Sequence, residues 1–445
     1  MSPTPTAAPR TGQDLYLRAK RRIPGGTQLL SKRPELFLPD NWPAYYSRAR
    51  GCTVWDLDDR AYIDFTSCGI GCCLLGYADE TVNAAVIDRV TQGSMCTLNA
   101  PDEVYLGDLL CQIHPWAEKV RYARAGGEAM AIAVRLARTA TGRPKVALCG
   151  YHGWADWYLA ANLGETTALD GHLLSGLDPA GVPAALRGTA LPFRYNQIAD
   201  LEAVVAAQRG NLAAIVMEPM RFDFPRDGFL EKVRQLADEC GAVLIFDEIT
   251  AGWRSHHGGI HLQLGVAPDI AVFAKAISNG FPMAAVIGRG EIMEAAQLTF
   301  VSSTYWTEGI GPAAALATLG KLREAGVVAH IAKIGELTRN GWQKLGGEHG
   351  LKLKVGGLPA LCTLAFDHGD DSPALMTLFT QEMLGHGFLA NGVFYPTWAH
   401  TPETVAAYLE TVAAVFGWLR ERIERGEVRT SLRGPVAHGG FARLT

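Results

Sequence analysis

The sequence predicts an α/β fold built on a mostly parallel sheet, and three apolar segments carry that prediction. Each segment has the pattern of a buried strand with an ionisable side chain near its carboxyl end, and the segments are 212–219, 242–249 and 268–289. The ionisable residues are Glu218, Asp247 and Lys275, separated by 29 and 28 positions. Each interval accommodates one strand, one helix and two short loops. Because parallel strands end at one edge of a sheet, we expect the three side chains to share a site.

Length and composition limit the class of protein. A chain of 445 residues is too long for one ordinary core, so we expect a large and a small lobe. Apolar residues make up 48% and charged residues 19%, which is typical of a compact globular protein. The net charge of −4, without a basic block, argues against a nucleic-acid-binding surface. No signal peptide and no apolar run of about 18 residues is visible, so we expect a cytoplasmic protein without a membrane span.

The cysteines do not suggest a disulfide scaffold or a metal site. The nine of them form neither a CxxC pair nor a regular framework. Cys68, Cys72 and Cys73 cluster in SCGIGCC, where small apolar packing in a reducing compartment is the expected role.

Lys275 and Asp247 point to a specific chemistry. A lysine that forms an imine must be neutral part of the time, and burial lowers its pKa. An aspartate against the ring nitrogen of a pyridine keeps that nitrogen protonated, so that the ring can withdraw electrons from a carbanion. These are the two groups that a pyridoxal phosphate enzyme needs. A surface lysine and a helix-capping aspartate are the alternative, and the neighbouring motifs weigh against it.

The segments IFDEITAGWR and PDIAVFAKAISNGFPMAAVIGR, which hold these residues, carry a family resemblance. From about Tyr16 to about Arg425 the chain resembles the class III (omega-type) aminotransferases of fold type I, and within them the glutamate-1-semialdehyde 2,1-aminomutase-like branch. The resemblance implies a large lobe with a mostly parallel, seven-stranded type of sheet and a small α+β lobe built from both termini. The expected segments are a disordered tail at 1–12, the small lobe at 13–65 and 321–445, and the large cofactor-binding lobe at 66–320.

The N-terminal region is expected to form a helix, a loop and a hairpin. Apolar residues at helical spacing predict a helix over 13–24. The loop PGGTQLLSKRPELF resembles the family's segment over the active site, where Lys32 or Arg33 would bind a substrate carboxylate. A solvated surface charge is the alternative for both residues. The alternating segment GCTVWDLDDRAYIDF predicts a hairpin with its turn at Asp58-Asp59.

A glycine pair before a strongly helical run is the expected phosphate site. In VRYARAGGEAMAIAVRLAR, backbone N–H groups at Gly126 and Gly127 would hold a phosphate at the helix start. The resemblance places this stretch at the family's phosphate cup. Relatives carry hydroxyl or amide side chains where this chain has Arg124, Ala125 and Gly127, so we expect contacts mainly from backbone amides, with Arg124 as a possible addition.

The next predicted strand ends in YHGW and is expected to contact the cofactor ring. The resemblance implies that Tyr151 stacks on the pyridine, a contact that contributes on the order of 1 kcal/mol. Trp154 would form a wall of the substrate pocket, with packing in the core as the alternative.

Three further residues are assigned from the resemblance. Glu218, in MEP, would hydrogen-bond within the cofactor network, and a buried structural acid is its alternative. Ile249 would lie behind the pyridine ring. Thr304, in VSSTYWTEGIGP, would reach the phosphate site of a neighbouring subunit, with Ser302, Ser303 or Thr307 as alternatives. The active sites would then be shared at the interface of a homodimer.

Three histidines in SHHGGIH could suggest a metal site. His256, His257 and His261 do not have the spacing of a helical ligand pair such as HExxH. We therefore expect no metal.

Together the motifs predict a pyridoxal-phosphate-dependent aminotransferase. Lys275 would hold the cofactor as an internal aldimine and then move a proton as general acid and base, with Asp247 facing the ring nitrogen. The substrates would be an amine or amino acid donor and a keto or aldehyde acceptor. A glutamate-1-semialdehyde-type aminomutase, a racemase or epimerase, or a decarboxylase would use the same two residues. A catalytically silent scaffold subunit is the alternative from another class of protein.

Overall fold

The structure is a computed structural model that describes residues 11–165, 167–172, 175–220 and 222–440. The chain forms two compact units. The larger unit comprises Gly71–Leu75 and Asp79–Ala332. The smaller unit comprises the described residues up to Ile70, the short segment Gly76–Ala78, and the described residues from Lys333 onward.

Strands and helices alternate along most of the chain. The strands are β1 Tyr46–Arg50, β2 Thr53–Asp56, β3 Ala61–Phe65, β4 Lys119–Ala123, β5 Lys145–Cys149, β6 Ala190–Pro192, β7 Leu212–Met217, β8 Val243–Asp247, β9 Ile270–Phe273, β10 Ala284–Gly288, β11 Leu353–Leu358, β12 Leu361–Phe366, β13 Phe388–Ala390 and β14 Val393–Phe394. The helices are α1 Thr11–Lys20, α2 Glu80–Gln92, α3 Asp102–Ile113, α4 Gly126–Thr141, α5 Asp156–Leu159, α6 Ile198–Ala207, α7 Phe229–Cys240, α8 His261–Leu264, α9 Gly290–Met293, α10 Ile310–Glu324, α11 Val327–Glu348, α12 Ser372–Gly385 and α13 Pro402–Glu424. Within the described ranges, no helix combines the length and apolar character needed to cross a membrane.

A seven-stranded sheet in the order β4-β10-β9-β8-β7-β5-β6 forms the centre of the larger unit. Strands β9, β8, β7, β5 and β6 pair in parallel. Strand β10 is antiparallel to both of its neighbours, β9 and β4. Every strand except β10 therefore ends at the same edge of the sheet. The predicted α/β fold with a mostly parallel sheet is confirmed.

The central strands are buried because their sequences are apolar without interruption. All six residues of β7 and all five of β8 are buried, as expected for strands covered on both faces. Helix α7 packs on this sheet through Phe229, Leu230 and Val233, which share a core cluster with Ile215 and Leu244. The rigid sheet thus sets the positions of the residues that follow each strand.

The smaller unit joins the two ends of the chain. Strand β13 pairs in parallel with β3, so a C-terminal strand completes the N-terminal sheet β1-β2-β3-β13. The aromatic core includes Phe65, whose ring stacks on Tyr408 with centroids 3.9 Å apart. The predicted hairpin is confirmed, since β2 and β3 are antiparallel and Asp59 in their turn has φ 58°. A second sheet, β11-β12-β14, lies in the C-terminal part of this unit, where β11 and β12 are antiparallel.

The first helix differs from its prediction at both ends. Helix α1 starts at Thr11, so residues 11 and 12 are helical rather than part of a tail, and Asp58 accepts a hydrogen bond from the backbone N–H of Thr11. It ends at Lys20 instead of residue 24, and a 3-10 turn with Gly25 at φ 71° follows. Glycine at that position permits the left-handed backbone of this turn. The rest of the predicted tail, 1–10, lies outside the described residues.

Candidate active site

The carboxyl edge of the large sheet gathers the sequence-predicted residues of the larger unit. Asp247 is the last residue of β8, and Glu218 follows β7 directly. Lys275 comes two residues after β9, and Tyr151 two residues after β5. These four side chains start from one edge because the four strands are parallel.

Asp247 is buried and is held by a histidine from another strand end. Its side chain is only 3% exposed, and Oδ2 lies 2.8 Å from Nδ1 of His152. Its Oδ1 accepts the backbone N–H of Ile249 at 3.0 Å. The other ring nitrogen of His152 lies 3.1 Å from the carbonyl oxygen of Cys149. His152 thereby links the end of β5 to the end of β8 and fixes the orientation of the Asp247 carboxyl group. Sequence reasoning gave His152 no role, although its place after β5 was a usable signal.

The backbone at Tyr151 is fixed by hydrogen bonds on both sides. The Tyr151 N–H donates to Oε2 of Glu218 at 3.2 Å, and Tyr158 donates its hydroxyl to the carbonyl of Gly150 at 3.0 Å. Gly150 has φ 115°, and a Cβ there would lie 2.8 Å from Oε2 of Glu218, so only glycine fits. The Tyr151 ring meets Tyr158 edge to face with centroids 6.0 Å apart. Glu218 therefore holds the backbone of Tyr151, and the roles of both residues toward a cofactor stay predictions.

A second histidine, which the sequence did not reveal, completes this arrangement. Nδ1 of His172 accepts the backbone N–H of Gly150 at 2.9 Å. Burial, with a smaller contribution from His152, lowers the pKa of His172 to about 4. The ring is therefore neutral near pH 7 and able to accept this hydrogen bond. His172 lies in the Gly-, Ala- and Leu-rich stretch 162–192, where no motif singles it out.

Glycines allow three backbone segments to approach one another at the start of α4. A Cβ on Gly126 would lie 2.9 Å from Cδ1 of Ile249, and a Cβ on Gly153 would lie 3.0 Å from Cα of Gly127. Trp154 lies against the same helix start, with Cδ1 3.4 Å from the position of a Cβ on Gly127. The predicted residues on three different loops are thereby neighbours, and the residue before the helix supplies no side-chain cap to its first N–H groups.

The guanidinium of Arg124 is bound by the Glu308 carboxylate and by two backbone carbonyls, so the structure adds no support to the hypothesis that Arg124 contacts a phosphate. Its Nε lies 2.8 Å from Oε1 of Glu308, and Nη2 donates to the carbonyls of Trp306 and Glu308 at 3.0 and 2.8 Å. The guanidinium thereby holds the 3-10 turn Thr304–Thr307, on which Thr304 is exposed. The role suggested for Thr304 stays a prediction.

The amine of Lys275 has a neighbour that sequence reasoning missed. Nζ donates to Oγ1 of Thr250 at 2.8 Å. Thr250 comes three residues after Asp247 and is 3% exposed. Through Thr250, Ile249 and Asp247, the loop after β8 links the lysine amine to the buried carboxylate.

Of the three histidines after β8, His261 takes part in a buried hydrogen-bond network. Glu248 is fully buried, and its Oε1 accepts from Nδ1 of His261 at 2.7 Å. Its Oε2 accepts the N–H of Ile260 at 3.0 Å, and Trp116 donates to Nε2 of His261 at 2.9 Å. In the described ranges, no group of three or more His, Cys, Asp or Glu residues is arranged to hold a metal ion.

The two predicted substrate residues lie in different units. Trp154, in the larger unit, is 76% exposed beside the start of α4. Arg33, in the smaller unit, has its guanidinium beside Gly25. Burial raises the pKa of the Tyr16 phenol, and the nearby charge of Arg33 partly offsets that rise. Both assignments stay predictions.

Comparison with known proteins points to one family. The profile described as Aminotransferase class-III matches residues 39–415. The chain is 30% identical over 410 residues to 3-aminobutyryl-CoA aminotransferase from Cloacimonas acidaminovorans (strain Evry), covering 89% of this chain and 94% of that protein. It is 32% identical over 434 residues to glutamate-1-semialdehyde 2,1-aminomutase from Roseiflexus castenholzii, covering 92% and 96%. Among solved structures, the PLP internal aldimine form of the FumI protein from Sphingopyxis sp. MTA144 superposes with a TM-score of 0.85 at 27% identity, covering 95% and 98%.

Proposed function

This chain belongs to the class III aminotransferase family, whose members use pyridoxal phosphate, and we propose that Lys275 is the residue that binds this cofactor covalently. The observation that carries the proposal is the placement of an amine and a buried carboxylate on adjacent strands. Asp247 pairs with Val272 in the β8–β9 ladder, and Lys275 follows three residues later. A lysine and an acid at neighbouring strand ends match the two reacting ends of a pyridoxal ring.

The remaining groups fit the cofactor in size and polarity. Asp247, held by His152, would face the ring nitrogen. Tyr151 would contact one ring face and Ile249 the other. The first N–H groups of α4 at Gly126 and Gly127 would hold the phosphate, because helix starts attract anions and these glycines carry no side chain into the space.

Each protein group has a separate task in the proposed reaction. Bound pyridoxal phosphate supplies an aldehyde carbon and an electron-withdrawing ring. Nζ of Lys275 takes a proton from the substrate carbon and later returns one, acting as general base and then general acid. The Asp247 carboxylate keeps the ring nitrogen protonated, and its hydrogen bond with His152 holds that carboxylate in place. The hydrogen bonds at Gly150 and Tyr151 keep the stacking ring in one orientation.

The protein is an aminotransferase, and we propose an amine or amino acid as donor and a keto or aldehyde compound as acceptor. A 32% identical aminomutase supports an alternative in which one substrate both gives and receives the amino group. The two are separable by product analysis. An aminotransferase given a donor without acceptor releases a carbonyl product in an amount equal to the enzyme, whereas an aminomutase converts its single substrate over many turnovers.

We also propose a homodimer in which Thr304 contributes to the partner's phosphate site. Several large apolar side chains of the larger unit are between 61% and 83% exposed, and among them are Leu98, Val104, Tyr105, Leu298, Phe300 and Tyr305. Exposed apolar side chains in such number support an interface with a second copy. The last three flank Thr304 in sequence.

The proposed domain assignment follows from where the site residues lie. Apart from Lys32 and Arg33, every predicted site residue falls within Asp79–Ala332 of the larger unit, which supports a cofactor-binding domain over about 66–320. Residues 13–65 and 321–445 would form the small domain. We propose a cytoplasmic location, supported by cysteines spaced without a disulfide pattern.

The absorption spectrum of the purified protein tests the covalent role of Lys275. With pyridoxal phosphate added, the wild-type protein should show a visible band that survives removal of free cofactor. Lys275→Ala should lose that band and lose activity by roughly 10³-fold, since both the covalent link and the proton carrier are absent. Lys232→Ala, at an exposed lysine of α7, serves as the matched control and should behave as wild type. A stable band in Lys275→Ala would contradict the assignment.

A further inference from the structure

The Lys275 amine is held by a hydroxyl group to which no function has been assigned. Nζ of Lys275 lies 2.8 Å from Oγ1 of Thr250, within normal hydrogen-bond distance. Thr250 is 3% exposed, so its hydroxyl is shielded from solvent competition. The contact joins the loop after β8 to the loop after β9, two neighbouring strands of the large sheet.

Thr250 itself has little freedom. Its carbonyl accepts a hydrogen bond from Nε of Arg254 at 2.8 Å, and Arg254 is 1% exposed and also donates to the carbonyl of Gly71. One residue before Thr250, the N–H of Ile249 is bound by Asp247, and the N–H of Gly252 donates to the carbonyl of Glu248 at 2.8 Å. A β-branched side chain on such a fixed backbone has few rotamers. The loop that carries Thr250 therefore fixes the position of the hydroxyl independently of its contact with Lys275.

The backbone of Lys275 is equally specialised. Its φ of 51° lies in the left-handed region, which lysine rarely adopts. The 3-10 turn Lys275–Ser278 follows, and Asn279 after it has φ 47° while its side chain accepts the N–H of Leu75 at 2.8 Å. Strained backbones of this kind persist where the surrounding structure enforces them, typically at functional sites. Here the strain directs a long, flexible side chain toward Thr250.

We propose that Thr250 is a positioning residue that holds Nζ of Lys275 ready for reaction. The inference rests on the proposed function, in which this amine bonds the cofactor and carries the proton. An amine that donates one N–H to Oγ1 is restrained in direction while its lone pair stays available to attack a carbonyl carbon or to accept a proton. Without the hydroxyl, the four-carbon side chain would sample other rotamers and the amine would react less often.

The test measures how fast Lys275 captures its cofactor. Full-length protein stripped of cofactor is mixed with pyridoxal phosphate, and the rise of the visible band is followed for wild type, Thr250→Val and Thr250→Ser. Valine keeps the shape but lacks the hydroxyl, and serine keeps the hydroxyl. We expect capture to slow about tenfold in Thr250→Val, the effect of one lost hydrogen bond. In Thr250→Ser we expect a rate within about twofold of wild type, because the hydroxyl is retained.

Rescue by serine separates positioning from a general structural role. If Thr250→Val does not fold, as judged by circular dichroism, the comparison is made between Thr250→Ala and Thr250→Ser. Equal capture rates with and without the hydroxyl, in a protein that does form the band, would overturn this inference alone. A wild-type protein that forms no band at all would overturn the proposed function, and this inference with it.

Discussion

The buried ring of His114 shows how one side chain can stabilise a loop far away in sequence. Nδ1 of His114 donates to the carbonyl of Leu110 at 2.9 Å, and Nε2 accepts the N–H of Gly259 at 3.0 Å. Burial lowers the pKa of His114 to about 3, with His261, His256 and His257 as smaller causes. Protonation would place an N–H against the N–H of Gly259. The loop that carries Glu248 and Thr250 thus depends on a neutral His114.

This depressed pKa predicts an acid-dependent loss of stability. The unfolded chain takes up a proton at His114 near its ordinary pKa of about 6.5, whereas the folded protein does so only near pH 3. Stability from this residue is therefore complete above pH 6.5 and falls as the pH drops toward 3, with a slope of up to ~1.4 kcal/mol per pH unit. His114→Gln should unfold at lower urea than wild type at pH 7.5 but show a shallower decline of the urea midpoint between pH 6.5 and 4.5. Parallel declines in the two proteins would contradict the prediction.

At the scale of an element, helix α4 begins with two glycines and has no side-chain cap at its N-terminus, where the proposed phosphate site lies. The N–H of Arg124 donates to Oε2 of Glu128, and Ala125 before the helix offers no side-chain cap. A Cβ on Gly127 would meet Trp154 only at ordinary contact distances, 3.4 Å or more. A Cβ on Gly126 would come within 2.9 Å of Ile249. Packing against Ile249 therefore requires glycine at position 126, whereas position 127 has room for a small side chain.

The matched substitutions Gly127→Ser and Gly126→Ala test this difference. Serine at 127 fits and places a hydroxyl at the proposed phosphate position, so it should tighten pyridoxal phosphate binding by about tenfold, the effect of one hydrogen bond to a charged group. Alanine at 126 must displace Ile249 and should weaken binding instead. Equilibrium titration of the visible band measures both dissociation constants. Weaker binding in both variants would show that the helix start does not hold the phosphate.

At the scale of the whole molecule, the proposed homodimer, with Thr304 in the partner's phosphate site, would make the active site depend on subunit assembly. Phe300 is 83% exposed, and Arg124, in the loop between β4 and α4, holds the nearby turn Thr304–Thr307 in place. An exposed turn ordered in this way is suited to entering a partner's site. In the proposed dimer, two subunits that carry different inactivating substitutions should together form one intact active site.

Hybrid dimers test that consequence directly. One subunit carries Lys275→Ala and the other Thr304→Ala, with different affinity tags so that only hybrids are purified. If Thr304 serves the partner's site, one of the two sites is intact and the hybrid should keep about half of the wild-type activity. If Thr304 serves its own subunit, the sole lysine-bearing site lacks the hydroxyl, and activity should be about a twentieth of wild type, taking the loss of one charged hydrogen bond as about tenfold. A Ser303→Ala hybrid is the control for neighbouring hydroxyls.

The sequence by itself determined the class of fold and most of the candidate site. Uninterrupted apolar runs predict buried parallel strands. Such strands place Glu218, Asp247 and Lys275 at one edge of the sheet, independently of the conformations of the loops. Only the tertiary structure decided the partners of these groups. The pairings of Asp247 with His152 and of Lys275 with Thr250 depend on loop backbones and single rotamers, including a left-handed lysine, that have no periodic signature in the sequence. Periodicity reports which face of an element is buried, whereas contacts between loops depend on torsion angles that it does not encode.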